Sequence, residues 1–166
     1  MSMIKTMTID GFYNNEEVYR LSNIIGSLKF ENTDFGKEIQ NFNLTPEHAD
    51  DLFSNTLKIP VEMNEEQSGV FRYPQMFIHF EGFDSTDEWV YAIAIEPSTF
   101  NIFHHKSGAK NAIDGYQFNY RNLFEWDLMV NYLLEPGQGV LFRPWLFHSF
   151  DSGLIQVFRL KDKNVN

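Results

Sequence analysis

Two periodicities divide the chain. After a short apolar stretch, Ile4 to Ile9, that reads as an edge strand, Val18, Leu21, Ile25 and Leu28 recur at helical spacing. Asn14 stands three residues before Glu17, the spacing at which a cap side chain and a carboxylate satisfy each other's backbone amides, so the pattern predicts a helix over 15–27. Thr45-Pro46 is a second start signal, because threonine caps free amides and proline at the first helical position has no N–H to lose. Ala49, Leu52, Phe53 and Leu57 then give one apolar face to a helix over 46–57. From Ile59 the period falls to two. Lys58 to Met63, Val70 to Glu81, Trp89 to Ile95, Thr99 to His105, Leu128 to Leu134, Gly139 to Phe142 and Leu154 to Leu160 are short aromatic and aliphatic runs, punctuated by Gly, Asp, Ser, Asn and Pro. Each is a candidate strand. Lys106 to Gln117 is polar and reads as a loop over a rim, and Asn122 to Asp127 as a helical turn. Helices followed by antiparallel strands predict one mainly β domain over 1–166, a sandwich or barrel backed by helices on one side.

Composition sharpens this picture. Of 166 residues, 43% are hydrophobic and 22% charged, the balance of a folded domain, and 17 Phe favour pleated faces over helix bundles. The 13 basic and 23 acidic residues leave a net charge of −10, which opposes binding to bare nucleic acid or an anionic membrane. No apolar run reaches the length of a bilayer span, and Met1 to Met7 lacks a secretory pattern, so a cytoplasmic location is expected. With no cysteine, any metal must sit on His, Asp or Glu.

Five histidines can be weighed in turn. His48-x-Asp50 falls in the second helix, where residues two apart point about 200° apart, so it reads as surface. His79-x-Glu81 falls in an apparent strand, Met76 to Glu81, where residues two apart share a face and both can reach one cation. His148 ends the apolar run from Gly139 and is the candidate third ligand of a 2-His-1-carboxylate site, an arrangement that leaves half of an octahedron open. On spacing alone His148 reads equally as an imidazole packed on Trp145 or Phe147 and bonded to a backbone carbonyl. His104 and His105 are adjacent in a strand, so at most one points inward, and rim placement suits them better than ligation. Trp89, Trp126 and Trp145 read as core.

The chain resembles the small iron(II)/2-oxoglutarate-dependent oxygenases, in particular the short type met in marine phage and bacterial genomes. The likeness runs through Ile9-Asp-Gly-Phe-Tyr-Asn-Asn-Glu-Glu-Val18, His79-Phe-Glu81 ahead of Trp89-Val-Tyr91, the run Ser98 to Gly108, and Leu134-Glu-Pro-Gly before Val140 to Ser149. It implies a double-stranded β-helix, or jelly roll, with iron(II) held by His79, Glu81 and His148, 2-oxoglutarate as cosubstrate, and hydroxylation of a small molecule or peptide. A phage-encoded chain would act in the host cytoplasm. The sequence departs from the family in two places. Glu81 stands where Asp is commoner. The arginine that opens the final strand in relatives, to pair with the far carboxylate of the cosubstrate, is replaced by Gly153. Arg159 shares a face with Gly153 when positions are counted by twos and is the expected substitute; the alternative makes it a strand-end residue answering Asp162. Arg143 lies an odd number of positions from His148. Tyr91 is expected to face the pocket. Two other readings compete: a cupin-type metalloenzyme, which usually carries two histidines in its first motif, and a jelly-roll binding protein without cosubstrate.

Overall fold

A computed structural model of the chain describes residues 6–9, 12–33, 36–40, 61–72, 77–83 and 87–162. Strand β1 (Met7–Ile9) leads to helix α1 (Asn15–Gly26), followed by β2 (Glu31–Thr33), β3 (Gly36–Gln40), β4 (Val61–Arg72), β5 (Glu88–Ala94), β6 (Ser98–His105), β7 (Trp126–Leu134), β8 (Gly139–Phe142), β9 (Phe147–Asp151) and β10 (Leu154–Asp162). Asn14 caps α1 as expected: its side chain accepts from Glu17 N at 2.8 Å, and the Glu17 carboxylate accepts from Asn14 N at 3.0 Å. The helix expected over 46–57, with His48 and Asp50, lies outside the described residues. No helix among the described residues is long and apolar enough to cross a membrane.

The strands form two antiparallel sheets, ordered β1-β8-β5-β10-β4-β3-β2 and β7-β6-β9. The extended segment 77–80 adds to the small sheet beside β9, where His79 and His148 exchange two backbone hydrogen bonds of 2.9 Å. Counted from β4 with this segment included, the large sheet places strands of rank 6, 3, 8 and 1 side by side, and the small sheet places ranks 5, 4, 7 and 2. That interleaving is the jelly roll, in which successive strands cross between facing sheets.

Alternation sorts the side chains. Val90, Ala92, Ala94, Val140, Phe142, Ile155 and Val157 of the large sheet face Phe100, Ile102 and Phe150 of the small one, and this is the inner core. Their neighbours Trp89, Tyr91, Ile93, Leu141, Phe158 and Leu160 face the other way and pack on Phe12, Tyr13, Leu21 and Ile25 of the α1 layer. Both faces of β5 are therefore buried.

Three expectations change. The described residues 61–63 and 70–72 of the runs from Lys58 and Val70 belong to a single strand, β4, with a register shift against β10 between Val157 and Arg159, and 77–81 is a separate extended segment. The run ending at His148 splits in two: Pro144 has no N–H to offer a ladder, a turn forms over 143–146, and β9 begins afresh at Phe147 in the opposite sheet. The hairpin β2–β3 has no counterpart in the sequence reading, because its exposed, polar first strand carries no burial period.

Candidate metal centre

His79 and Glu81 project from the 77–83 segment and His148 from β9, and the pairing of His79 with His148 brings the three side chains to one place at the open end of the inner core. His79 Nε2 lies 3.5 Å and His148 Nε2 3.6 Å from Glu81 Oε1, and one ligand atom from each residue falls within 4.8 Å of the others. The imidazole rings are 4.3 Å apart between centroids. His148 is wholly buried, whereas His79 and Glu81 keep 18% and 28% exposure, so the group opens to solvent on the side of the 77–83 segment.

The remaining ring nitrogens decide the chemistry. His148 Nδ1 lies 2.8 Å from the Leu146 carbonyl, and His79 Nδ1 lies 3.3 Å from the Phe77 carbonyl. A carbonyl only accepts, so each Nδ1 carries a proton, and each Nε2 faces Glu81. His148 Nε2 is buried without a hydrogen-bond partner among the described residues. Burial pushes the Glu81 carboxyl up, but the His148 and His79 imidazoles outweigh it and hold the group well below the usual carboxylate range. Burial, with the nearby His79 ring, pushes the His148 imidazole below its ordinary value, opposed in part by Glu81. The site thus gathers two imidazole nitrogens and one ionised carboxylate around a single point. Such a donor set suits a divalent cation, and the Nδ1–carbonyl bonds are the outer contacts that usually orient ligating histidines. Phe142 at 4.6 Å and Phe100 at 5.9 Å wall the His148 ring on its inner side. One part of the packed reading of His148 is seen, the bond to a backbone carbonyl, but its ring lies against Phe142, Phe100 and Phe150 rather than Trp145 or Phe147, and Nε2 faces Glu81.

Arg159 follows Ile155 and Val157 on the inward series of β10 and lies across the sheet from Val90, itself the partner of Phe142. Its guanidinium donates to the Gly82 carbonyl, one residue past Glu81, and stands 3.8 Å from Glu88. Its Nε is buried with no partner among the described residues. With 12% exposure it is not a surface strand end. Gly153 could not hold the missing arginine: it has φ +90° in the turn between β9 and β10, and a Cβ there would meet the Pro97 carbonyl at 2.7 Å.

Tyr91 is a correction. It sits on the outer face of β5, its ring 5.1 Å from Phe12, away from the pocket. Gly139 makes room for it, since a Cβ there would come within 2.5 Å of the phenol oxygen. Arg143 stacks on Trp89, 3.6 Å from the ring centre, and donates to the Glu88 carbonyl, which takes it out of the site. His105 faces outward from β6 as a structural residue, and His104 faces inward beyond Ile102, the cross-strand partner of His148. Glu88 was not singled out from the sequence; the in-out alternation of β5 is the signal that places it inward with Val90.

No family model matches the chain, and no curated protein does. Solved structures do share its fold. A crystal structure of HygX from Streptomyces hygroscopicus with nickel and 2-oxoglutarate bound superposes with a TM-score of 0.64 at 9% identity, covering 98% of this chain and 85% of that one. The alpha-ketoglutarate-dependent carbocyclase SnoK from nogalamycin biosynthesis gives 0.67 at 10% identity over 96% and 80% of the two chains. An oxidoreductase of the 2OG-Fe(II) oxygenase family from Burkholderia pseudomallei gives 0.59 at 9% identity over 94% and 84%. The chain has the jelly-roll fold of these oxygenases, with a His-Glu-His cluster inside it.

Proposed function

We propose that the protein is an iron(II)- and 2-oxoglutarate-dependent oxygenase of a small molecule, with His79, Glu81 and His148 as metal ligands and Arg159 as the anchor for the far carboxylate of the cosubstrate. The observation that carries this reading is the convergence of three electron-pair donors inside a jelly roll, one of them a buried nitrogen with no hydrogen-bond partner among the described residues. His79, Glu81 and His148 would hold the iron, which together with 2-oxoglutarate and dioxygen would supply the oxidation of an unactivated C–H bond.

The chain's own residues make the remaining contributions. Glu81 stays ionised and brings one negative charge, which with two neutral imidazoles leaves a dication a net positive centre able to hold an oxo acid. The carbonyls of Phe77 and Leu146 fix the rotation of the two rings and raise the basicity of Nε2. Arg159 offers its Nε–H, which has no partner among the described residues, to a carboxylate, the acceptor that matches a guanidinium best. Phe100, Phe142 and Phe150 keep the inner side dry, which strengthens each of these charge interactions. A small-molecule substrate is supported by the hygromycin B and the nogalamycin RO held in structures of HygX and of the epimerase SnoN, and the net charge of −10 disfavours bare nucleic acid.

Mixing the protein with iron(II), ascorbate and 2-oxoglutarate and following succinate tests the reading. Slow succinate release that requires His148 is expected. Metal binding with no succinate and no cosubstrate binding would make the chain a jelly-roll binding protein instead.

A further inference from the structure

Two Arg–Glu pairs lie on the large sheet, and they are built differently. Arg72 and Glu96 meet in a bidentate fork, 2.8 and 3.0 Å, at side chains 41% and 44% exposed. Arg159 and Glu88 are almost enclosed, at 12% and 13%, yet stand 3.8 Å apart without a hydrogen bond between them, and the arginine Nε has no partner among the described residues. A buried pair recovers its desolvation cost only through good geometry and full hydrogen bonding. The exposed pair forms a two-pronged fork, and Arg159 and Glu88 do not. Both enclosed side chains are on the inward face: Glu88 begins the series Glu88, Val90, Ala92 of β5, and Arg159 continues Ile155 and Val157 of β10. Arg159 also donates to the carbonyl next to Glu81, so the loose pair borders the metal cluster.

We propose that Glu88 is a selectivity residue for the oxo-acid cosubstrate: it competes for Arg159 and lowers the preference of the site for an acid with a second carboxylate. This rests on the oxygenase reading, in which Arg159 receives that carboxylate. A carboxylate arriving at the Arg159 Nε enters the field of Glu88, and two like charges in an enclosed site repel strongly. An oxo acid with no second carboxylate never approaches Arg159 and does not experience Glu88. Wild-type protein therefore separates the two classes of acid weakly, and loss of the Glu88 charge separates them strongly.

Calorimetric titration of the full chain loaded with manganese, using 2-oxoglutarate and 2-oxobutyrate in turn, reads this directly. Glu88→Gln is expected to tighten 2-oxoglutarate about tenfold or more and to change 2-oxobutyrate less than twofold; Glu88→Ala, which removes the carboxylate altogether, should do the same if the amide disturbs packing. Unchanged or weaker 2-oxoglutarate binding in both variants, or equal shifts for both acids, overturns the proposal while leaving the oxygenase reading intact. Manganese uptake with no binding of either acid by wild type or variants defeats the oxygenase reading itself, and the proposal with it.

Discussion

The small sheet carries an imidazole–carboxylate group on each face, and only one of them is a site. On the outer face His105 Nε2 lies 3.4 Å from Glu125 Oε1, its Nδ1 is 2.7 Å from Ser107 Oγ, and the ring stacks on Phe118 at 3.9 Å. The second Glu125 oxygen accepts from Asn122 at 3.0 Å. Both ring nitrogens and both carboxylate oxygens are engaged. On the inner face the nitrogen–oxygen distances are almost the same, 3.5 and 3.6 Å, but two histidines crowd one carboxylate, and His148 Nε2 is buried without a hydrogen-bond partner among the described residues. Proximity alone does not separate structure from function. The unsatisfied donor atom does, because a folded protein seldom tolerates one without a missing partner.

The largest break in this comparison comes from His148. His148→Ala should abolish binding of iron(II), manganese or zinc, since one imidazole and one carboxylate from a single segment hold a hydrated dication poorly; His105→Ala should keep one ion per chain. Metal content after dialysis, read by atomic emission for both variants, checks this, and a full equivalent of metal in the His148 variant would remove it from the ligand set.

Arg159 comes next. Arg159→Leu should weaken 2-oxoglutarate binding to the manganese-loaded protein about thirty-fold or more, the loss of a desolvated charge pair worth roughly 2–5 kcal/mol. Equal affinity in the variant would return Arg159 to a purely structural role beside Glu88.

Acid sharpens the contrast further. Glu81 and His148 both bind protons less readily folded than unfolded, so stability of the metal-free protein rises with pH between the folded and unfolded values and is lost as pH falls. For His148 the loss begins as pH drops through 6.5, where the unfolded imidazole protonates first. For Glu81 it begins below about pH 4.5. Thermal melts from pH 8 to pH 4 should therefore fall more steeply for wild type than for a Glu81→Gln, His148→Gln double variant. Parallel curves would contradict the assignment.

How much of this could be read in the sequence depends on what sets each feature. The His79–Glu81 pair was legible from period two alone, although the segment makes only a single bridge, because an extended backbone suffices to put residues two apart on one side. Arg159 was legible by parity along β10 for the same reason. Tyr91 was not, since β5 is buried on both faces and alternation says which residues share a side without saying which side is inner. Glu88 suffers the opposite fault: a charge in an acidic stretch reads as solvated, and only its place on β5 turns it inward. The break at Pro144 was visible as a residue, but its effect, sending β9 to the other sheet, depends on partners distant in sequence.

The smallest effect belongs to the outer group. His105→Phe keeps the stack on Phe118 and the edge contact with Trp126 at 4.9 Å, and it removes the bonds to Ser107 and Glu125. Ser107 is exposed and can turn to water, and Glu125 retains Asn122, so neither partner is left buried and unpaired. The expected cost is about 1 kcal/mol, a fall in Tm of about 2–4 °C for a chain of this length, with metal stoichiometry and cosubstrate affinity unchanged. Calorimetric melts with parallel metal analysis test it. A lost metal ion in this variant would mean that the two faces of the small sheet are coupled through Phe147, which touches Trp126 at 4.9 Å on the outer side and precedes His148 in the chain; an unchanged ion confines the site to the inner face.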